Sequence, residues 1–339
     1  MIEAYKVVGL MYTRTCPLAC RDCIVESSPK VREKMQQSVA SNLIKTIPKY
    51  SDAVCFTGGE PMLYYNEVLP LIYEAKALGL VVTLVTGAGW VRTNKEHIAR
   101  ERIFGLKEAG LDGLFISWDV YHEEFSPPEN ALLLLELAKQ AELRTMVRGV
   151  LPATGAVARI EEKLVNINVP YQTNGIVRMG AARNLPDDHF HFTAEPHPGR
   201  CQVVFSPVIE PNGNVFACCG PSRDAHRSSP LFLGNISEES LDSIFHRAVR
   251  DPIIEALSTI GPYGLFNLIK DEPSLRNLLP RRDRYTTMCE VCLDINDIPE
   301  VVSQIRKCLA SDDARTLLLA AKLYHKAPSE MKTTPIGTM

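Results

Sequence analysis

Eight residues, Cys16-Pro17-Leu18-Ala19-Cys20-Arg21-Asp22-Cys23, follow directly on an apolar stretch at residues 6–13 that has the composition of a buried β-strand. Three thiols so close together form a soft-metal site. A structural zinc ion needs a fourth ligand, and the next His or Cys along the chain is Cys55. The triplet therefore predicts an open site, such as an iron–sulfur cluster with one iron left free for another ligand.

Strand-like and helical patterns alternate outward from this loop to about residue 180, which is typical of βα units around a parallel sheet. Six strands are predicted, at residues 6–13, 53–57, 81–86, 113–117, 144–150 and 175–179. Helical periodicity separates them at residues 38–50, 66–78, 95–109, 128–141 and 156–166. The local pattern alone leaves two α/β arrangements open, a doubly wound sheet and a partial barrel.

A second cysteine group lies beyond residue 200. Residues 203–210 and 215–218 flank Pro211-Asn212-Gly213-Asn214, which predicts a β-hairpin. Amphipathic helices are predicted at residues 238–250 and 298–309. One hairpin thiol and a distant CxxC pair fit a four-thiolate site for zinc or an iron–sulfur cluster. The group consists of Cys201, Cys218, Cys219, Cys289 and Cys292.

Two of these cysteines are adjacent in sequence. If the hairpin strand is regular, Cys218 and Cys219 point to opposite faces, so one ligates the metal site and the other is spare. The spare thiol is either a buried inert residue or a hydrogen donor in a substrate cavity. The isolated Cys55 and Cys308 are predicted to be core residues.

The composition is that of a folded globular protein with one large domain or two ordinary ones. The chain has 339 residues, 45% of them hydrophobic and 23% charged, and a net charge of −3. This balance predicts neither nucleic acid nor a membrane as a partner. The N-terminus does not resemble a signal peptide, and no apolar run is long enough to span a bilayer, so we expect a cytoplasmic protein.

The CxxxCxxC spacing after the first strand resembles the radical S-adenosylmethionine (SAM) superfamily. Gly58, Gly59, Glu60 and Pro61, at the end of the second strand, are similar to its GGEP motif. The resemblance implies a (β/α)6 partial TIM barrel. It also implies that SAM chelates the free iron of a 4Fe-4S cluster, with the four GGEP residues beside it. The cluster ligands would be Cys16, Cys20 and Cys23.

The resemblance also implies further cofactor-binding residues at the ends of later strands. Ser117 and Asp119 would meet the ribose hydroxyls, and Arg148 would pair with the methionine carboxylate. Val177 and Met179 would border the adenine. The alternatives are that Asp119 caps a helix and that Arg148 is a structural ion-pair residue. His122 either lines the pocket or lies in a solvated loop, and Trp90 either shapes the substrate channel or packs.

The C-terminal region resembles the small α+β domains called SPASM or twitch, which bind auxiliary iron–sulfur clusters. Met179-Gly180-Ala181-Ala182-Arg183 looks like the GxxR-type segment that precedes them. Five cysteines suffice for one second, auxiliary 4Fe-4S cluster, which is closer to the shorter twitch form. Its ligands would be Cys201, Cys218, Cys289 and Cys292, which leaves Cys219 spare.

These features predict a SAM-cleaving barrel at residues 1–184, a cluster domain at 185–300, and a helix and tail at 301–339. The spare cysteine resembles the arrangement of radical peptide epimerases, which implies epimerisation of an L-residue in a ribosomally made peptide, with Cys219 as the catalytic hydrogen donor and a flavodoxin or ferredoxin as the electron donor. Alternatives are peptide crosslinking, a small-molecule substrate, and a zinc-binding maturation protein without radical chemistry. The first strand begins close to Met1, without room for a leader-recognition domain, which weighs against a peptide.

Overall fold

The computed structural model describes residues 5–279 and 282–326, which are built around one nine-stranded sheet. The strand order is β6-β5-β4-β3-β2-β1-β7-β8-β9. Strands β1 to β6 pair in parallel in chain order, as expected for successive βα units. The strands are β1 Val8–Thr13, β2 Ala53–Gly58, β3 Val81–Thr86, β4 Gly113–Ser117, β5 Arg144–Val150, β6 Tyr171–Asn174, β7 Val208–Ile209, β8 Asn214–Phe216 and β9 Phe232–Asn235.

Helices connect the parallel strands and complete the C-terminal region. None of the helices among the described residues is long and apolar enough to cross a membrane. The helices are α1 Gln37–Thr46, α2 Tyr65–Ala77, α3 Glu96–Glu108, α4 Val120–Glu123, α5 Pro128–Gln140, α6 Glu161–Ile167, α7 Leu241–Ala248, α8 Pro252–Thr259, α9 Gly261–Ile269, α10 Met288–Asn296, α11 Pro299–Leu309 and α12 Asp312–Lys326.

The two faces of the parallel sheet differ in character. A row of fully buried apolar side chains crosses it at one register, made of Leu10, Phe56, Leu84 and Leu114. Cys55 precedes Phe56, so strand alternation directs its side chain to the opposite, inner face, where it is half-buried. The prediction that Cys55 belongs to the core is therefore wrong. Cys308 packs against the core as predicted.

Four predicted strands, at residues 53–57, 81–86, 113–117 and 144–150, coincide with β2 to β5 almost to the residue. The sixth is misplaced, because β6 ends at Asn174 and residues 175–179 lie beyond it. Ile176 is buried against Cys16, Leu18 and Cys20 instead of in the sheet. An apolar run that covers a neighbouring loop has the same composition as a buried strand, which explains the error.

The C-terminal hairpin extends the same sheet. β7 runs parallel to β1, with Gly9 opposite Val208 and Leu10 opposite Ile209, and β8 and β9 follow in antiparallel order. Both predicted hairpin strands are too long. Ser206 N–H closes a turn onto the Val203 carbonyl oxygen at 2.9 Å, and β8 ends at Phe216. The sheet is thus continuous across the predicted boundary at residue 184.

Three C-terminal helices were not predicted: α8, α9 and α10. α8 begins with Pro252 and α9 contains Gly261, Pro262 and Gly264, which weaken the helical pattern in the sequence, whereas α10 has neither Gly nor Pro and is only nine residues long. The CxxC pair of Cys289 and Cys292 lies on α10 and is therefore held on a regular element. The tail at residues 328–339, which the sequence predicts to fray, lies outside the described residues.

Candidate active site

The cysteine loop begins immediately after β1. Cys16 and Cys20 are less than one-tenth exposed, and Cys23 is half-buried. Burial, followed by the nearby Glu60, raises the pKa of Cys16 to about 12. Burial is also the main reason that the pKa of Cys20 is raised, and the charges of Cys23 and Cys16 contribute. The three thiols therefore lie within electrostatic reach of one another, as cluster ligands must.

Backbone amides support two of these sulfurs. Leu18 N–H donates to the Cys16 Sγ at 3.4 Å, and Ser27 N–H donates to the Cys23 Sγ at 3.4 Å. Each bond also lowers the pKa of the thiol concerned, because it favours the thiolate. The two amides therefore favour the thiolate forms of Cys16 and Cys23, although burial is the larger effect and keeps the pKa of both thiols above the ordinary value.

The GGEP segment locks onto the chain that leads into the cysteine loop. Gly59 N–H donates to the Thr13 carbonyl oxygen at 2.6 Å, and Glu60 N–H donates to the Thr15 carbonyl oxygen at 2.8 Å. Gly58 has φ of 146°, and a Cβ atom there would lie 2.1 Å from the Thr13 oxygen. Only glycine allows this approach. The GGEP motif therefore fixes the position of the cysteine loop.

Glu60 is fully buried and ties two strand ends together. Its Oε1 accepts Met62 N–H at 3.1 Å, and its Oε2 accepts the Thr86 hydroxyl at 2.8 Å and Gly87 N–H at 3.0 Å. Burial raises the pKa of Glu60 to about 7. Contact of Glu60 with a cofactor ammonium group stays a prediction. Pro61 starts the short 3-10 helix Pro61–Tyr64.

The carboxylate of Asp119, just after β4, accepts hydrogen bonds from backbone amides of the protein itself. Its carboxylate accepts Tyr121 N–H, His122 N–H and Val150 N–H, and the His122 Nδ1 lies 2.8 Å away. Burial by itself would raise the pKa of Asp119, but the neighbouring His122 brings it below the ordinary value. The helix-capping alternative is thus observed. Ribose contacts by Asp119 and by the half-buried Ser117 stay predictions.

Asp22 is a part of this site that the sequence did not reveal. Its Oδ1 is buried without a hydrogen-bond partner, and burial raises the pKa of Asp22 to about 7. His122 belongs to the same polar cluster, because it interacts electrostatically with Asp22, Asp119 and Glu60 and accordingly lowers the pKa of Asp22. The signal for the cluster was the i, i+3 spacing of Asp119 and His122 directly after a strand. Trp90 donates to the Thr86 hydroxyl from its Nε1 at 3.0 Å.

The remaining predicted cofactor residues are Arg148 on β5 and Val177 and Met179, which follow β6. The Arg148 guanidinium sits 4.4 Å from the centre of the Phe115 ring and has no hydrogen bond or ion pair with a described residue. The structural ion-pair alternative for Arg148 is therefore wrong. The segment directly after Met179 contacts the cysteine loop, since Ala181 N–H donates to the Cys23 carbonyl oxygen at 3.0 Å; Met179 itself is buried, and Val177 is half-buried. Their cofactor contacts stay predictions.

Four thiols of the C-terminal group come together from three separate segments. Burial is the main cause of the raised pKa of Cys201, Cys289 and Cys292, and each is raised further by the Cys218 charge. The pKa of Cys289 reaches about 12. Within the described ranges, no group of three or more His, Cys, Asp or Glu side chains has the geometry of a single-ion site.

Cys219 lies beside this group and beside the inner face of the sheet. Burial raises its pKa to about 12, with further contributions from Cys218 and Cys55. Cys219 as a whole residue is nonetheless exposed to solvent. Both Cys218 and Cys219 follow the end of β8, so the strand alternation invoked for them is wrong. The bend at residues 217–220, and not a pleat, separates the two thiols.

The sequence profile of the Radical SAM superfamily matches residues 10–155, which contain both the cysteine loop and the GGEP segment. Residues 10–155 of the chain thus form a radical SAM domain. A second profile, for the SPASM iron–sulfur cluster-binding domain, matches residues 201–258. It includes Cys201, Cys218 and Cys219, whereas Cys289 and Cys292 lie beyond the matched range.

Two curated proteins and one solved structure are similar to this chain over different shares of its length. YydG of Bacillus subtilis (strain 168), named a peptide biosynthesis protein, is 20% identical over 296 residues, which are 85% of this chain and 91% of YydG. The AdoMet-dependent heme synthase of Oleidesulfovibrio alaskensis is 29% identical over 177 residues, 48% of this chain and 43% of the synthase. The structure of anSMEcpe with bound AdoMet and the Kp18Cys peptide superposes with a TM-score of 0.55 at 14% identity, over 94% of this chain and 99% of anSMEcpe.

The two thiol groups fit the cofactors that these domains imply. A radical SAM domain implies a 4Fe-4S cluster and SAM, and a SPASM domain implies auxiliary iron–sulfur clusters. Cys16, Cys20 and Cys23 supply three converging thiols with backbone donors on two sulfurs. The C-terminal group supplies four converging thiols. Both donor sets are sulfur, the ligand type that iron–sulfur clusters require.

Proposed function

We propose that this radical SAM enzyme converts an L-residue of a ribosomally made peptide into its D-epimer, with Cys219 as the hydrogen-atom donor. The observation that carries the proposal is the position of the Cys219 thiol. Cys219 is an exposed residue in the bend directly after β8 and is adjacent in sequence to Cys218; its thiol interacts electrostatically with Cys55 and Cys201, and the proposed ligand set does not need it. A donor must occupy such a place, close to the substrate cavity and to a one-electron carrier.

The peptide substrate class rests on the relatives. YydG carries the name of a peptide biosynthesis protein and aligns with 85% of this chain. The fold is also that of anSMEcpe, whose structure holds AdoMet and a peptide together. We infer that a fold of this kind can hold a peptide and the cofactor at the same time.

When bound, the cofactor pair would supply the radical chemistry that takes the α-hydrogen from the substrate. Cys16, Cys20 and Cys23 hold the cluster, and Gly58 and Gly59 keep their loop in place. Cys219 then transfers a hydrogen atom to the opposite face of the α-carbon. The S–H bond breaks as the new C–H bond forms, and a sulfur-centred radical remains.

The cycle closes when this sulfur radical gains one electron and one proton. The proposed source of the electron is a one-electron donor of the flavodoxin or ferredoxin class, and the proton comes from water. The high pKa of Cys219 fits the role, because only the protonated thiol has a hydrogen atom to give.

The test is incubation of the reduced, anaerobic enzyme with SAM and peptides encoded by neighbouring genes, in deuterated water. The thiol hydrogen exchanges with solvent, so the expected product has one deuterium at an α-carbon and an unchanged number of bonds. Chiral amino-acid analysis should then find a D-residue at that position. Loss of two hydrogens from the peptide would instead indicate a crosslink and overturn the epimerase proposal.

The variant Cys219→Ala separates the donor from the rest of the machinery. We expect it to keep its iron content and 5′-deoxyadenosine formation and to lose the D-residue. Cys308→Ala is the matched control, since that thiol packs against the helical core and contacts the Leu268 carbonyl oxygen at 3.7 Å. Normal epimer formation by Cys219→Ala would refute the donor role. Loss of the auxiliary cluster in Cys219→Ala, with Cys218→Ala harmless to it, would exchange the two roles.

A further inference from the structure

The hydroxyl group of Ser222 contacts Cys218 at three points. Ser222 is almost fully buried and belongs to the 3-10 helix Pro221–Asp224, directly after the bend that carries Cys218 and Cys219. Its Oγ lies 3.1 Å from the Cys218 Sγ and 2.8 Å from the Cys218 carbonyl oxygen, and it accepts Cys218 N–H at 3.1 Å. One hydroxyl thus contacts the amide, the carbonyl and the sulfur of a single cysteine.

A second buried polar side chain stands beside the CxxC pair. Asn296, at the end of α10, has no exposed surface. Its Nδ2 donates to the Cys292 carbonyl oxygen at 2.7 Å and lies 3.8 Å from the Cys292 Sγ. Its Oδ1 is buried without a partner. An amide kept in so costly a position contributes something other than stability.

Binding of a cluster changes what these donors can do. A ligating cysteine is a thiolate, which has no hydrogen and can only accept. The Ser222 hydroxyl hydrogen then has two acceptors within reach, the Cys218 carbonyl oxygen and its sulfur. The second Nδ2 hydrogen of Asn296 has the Cys292 sulfur as its nearby acceptor. Hydrogen bonds to the ligand sulfurs stabilise the more negative, reduced cluster and so raise its reduction potential.

We propose that Ser222 and Asn296 are positioning residues that hydrogen-bond the Cys218 and Cys292 sulfurs and raise the reduction potential of the auxiliary cluster. This inference rests on the ligand set of the proposed function but not on epimerisation. The N-terminal loop differs, because there the sulfur donors are the backbone amides of Leu18 and Ser27. At the auxiliary cluster the donors are side chains, so substitution of these residues can change its reduction potential.

The experiment measures the midpoint potential of the auxiliary cluster by a spectroscopic redox titration. The background variant carries Cys16→Ala, Cys20→Ala and Cys23→Ala, so that only the auxiliary cluster titrates. Ser222→Ala and Asn296→Leu should each shift the midpoint to a more negative value, and the double variant should shift it further. Ser222→Thr keeps a hydroxyl group, so its midpoint potential should equal that of the background variant.

Gln304→Leu is the matched control for the amide. The Gln304 Nε2 lies 3.9 Å from the Sγ of Cys308, a cysteine outside both ligand sets, so its removal should leave the midpoint unchanged. Unchanged midpoints in Ser222→Ala and Asn296→Leu, with iron content retained, would overturn the inference. So would an equal shift in Gln304→Leu.

If Ser222→Ala or Asn296→Leu loses the cluster, a second measurement on the background variant, which retains both side chains, still tests the inference. Exchange into deuterated water should shift the iron–cysteine stretching bands in resonance Raman spectra of the background variant, because the bonding hydrogens exchange. Bands that do not move would refute the hydrogen bonds. Absence of any auxiliary cluster would refute the ligand set itself, and a peptide product without a D-residue would refute only the epimerase proposal.

Discussion

Replacement of Gly59 by alanine tests whether the GGEP segment positions the cysteine loop through backbone contact. An added Cβ atom would lie 2.4 Å from the Thr15 carbonyl oxygen and 2.9 Å from the Arg14 carbonyl carbon. Ordinary contact begins at 3.4 Å, so the two segments must separate by about 1 Å. The φ of Gly59 lies outside the left-handed region, so lack of space is the only obstacle to alanine.

The expected consequence follows from where the displaced atoms lie. Thr15 immediately precedes the ligand Cys16, and a misplacement of about 1 Å at a reacting centre costs roughly 100-fold in rate. Forcing a methyl group into a closed site also destabilises the fold by about 1–3 kcal/mol. We therefore expect Gly59→Ala to bind less iron at the N-terminal site and to form 5′-deoxyadenosine about 100-fold more slowly.

The assay is 5′-deoxyadenosine formation by anaerobically reconstituted protein, with iron content and thermal unfolding measured on the same samples. Gly175→Ala is the matched control, because no atom lies within 4 Å of its added Cβ and its φ is also outside the left-handed region. If Gly59→Ala cleaves SAM as fast as Gly175→Ala, the proposed backbone role of the GGEP segment is incorrect.

Three further perturbations are predicted. Replacement of Cys16, Cys20 and Cys23 together by alanine should abolish 5′-deoxyadenosine formation. Iron analysis of this variant should show that the iron of the auxiliary cluster is still bound. Glu60→Gln should weaken SAM binding and lower the melting temperature, since its amide leaves one buried donor unpaired at a cost of about 1–3 kcal/mol; an unchanged melting temperature would contradict this. Burial alone would raise the pKa of Asp112, but Lys76 holds it below the ordinary value of 3.8. Its contribution to the free energy of unfolding is therefore present above pH 3.8 and lost as the pH falls, and denaturant titrations of Asp112→Asn should lack this component.

The parallel strands and the cysteine loop could be predicted from the sequence because each depends on short segments. β2 to β4 are largely apolar runs, as expected of buried parallel strands, whereas β5 contains Arg144 and Arg148 and has only Val147 fully buried. The three thiols of residues 16–23 are near one another in any fold, so their spacing already defines a metal site. The GGEP segment was predicted to approach a ligand, and its observed partner is the backbone at Thr13 and Thr15.

Tertiary structure alone decided the features that join distant segments. The sequence could not distinguish a strand at residues 175–179 from an apolar run that covers the cysteine loop, because both bury the same side chains. It also could not show that β7 pairs with β1, since the hydrogen bonds between two strands leave no trace in either one. Asp22, Ser222 and Asn296 were missed for the same reason, and the sequence left open whether His122 lines the pocket or lies in a solvated loop. A polar residue acquires its role from burial and from the partner that it meets, and both are properties of the folded chain.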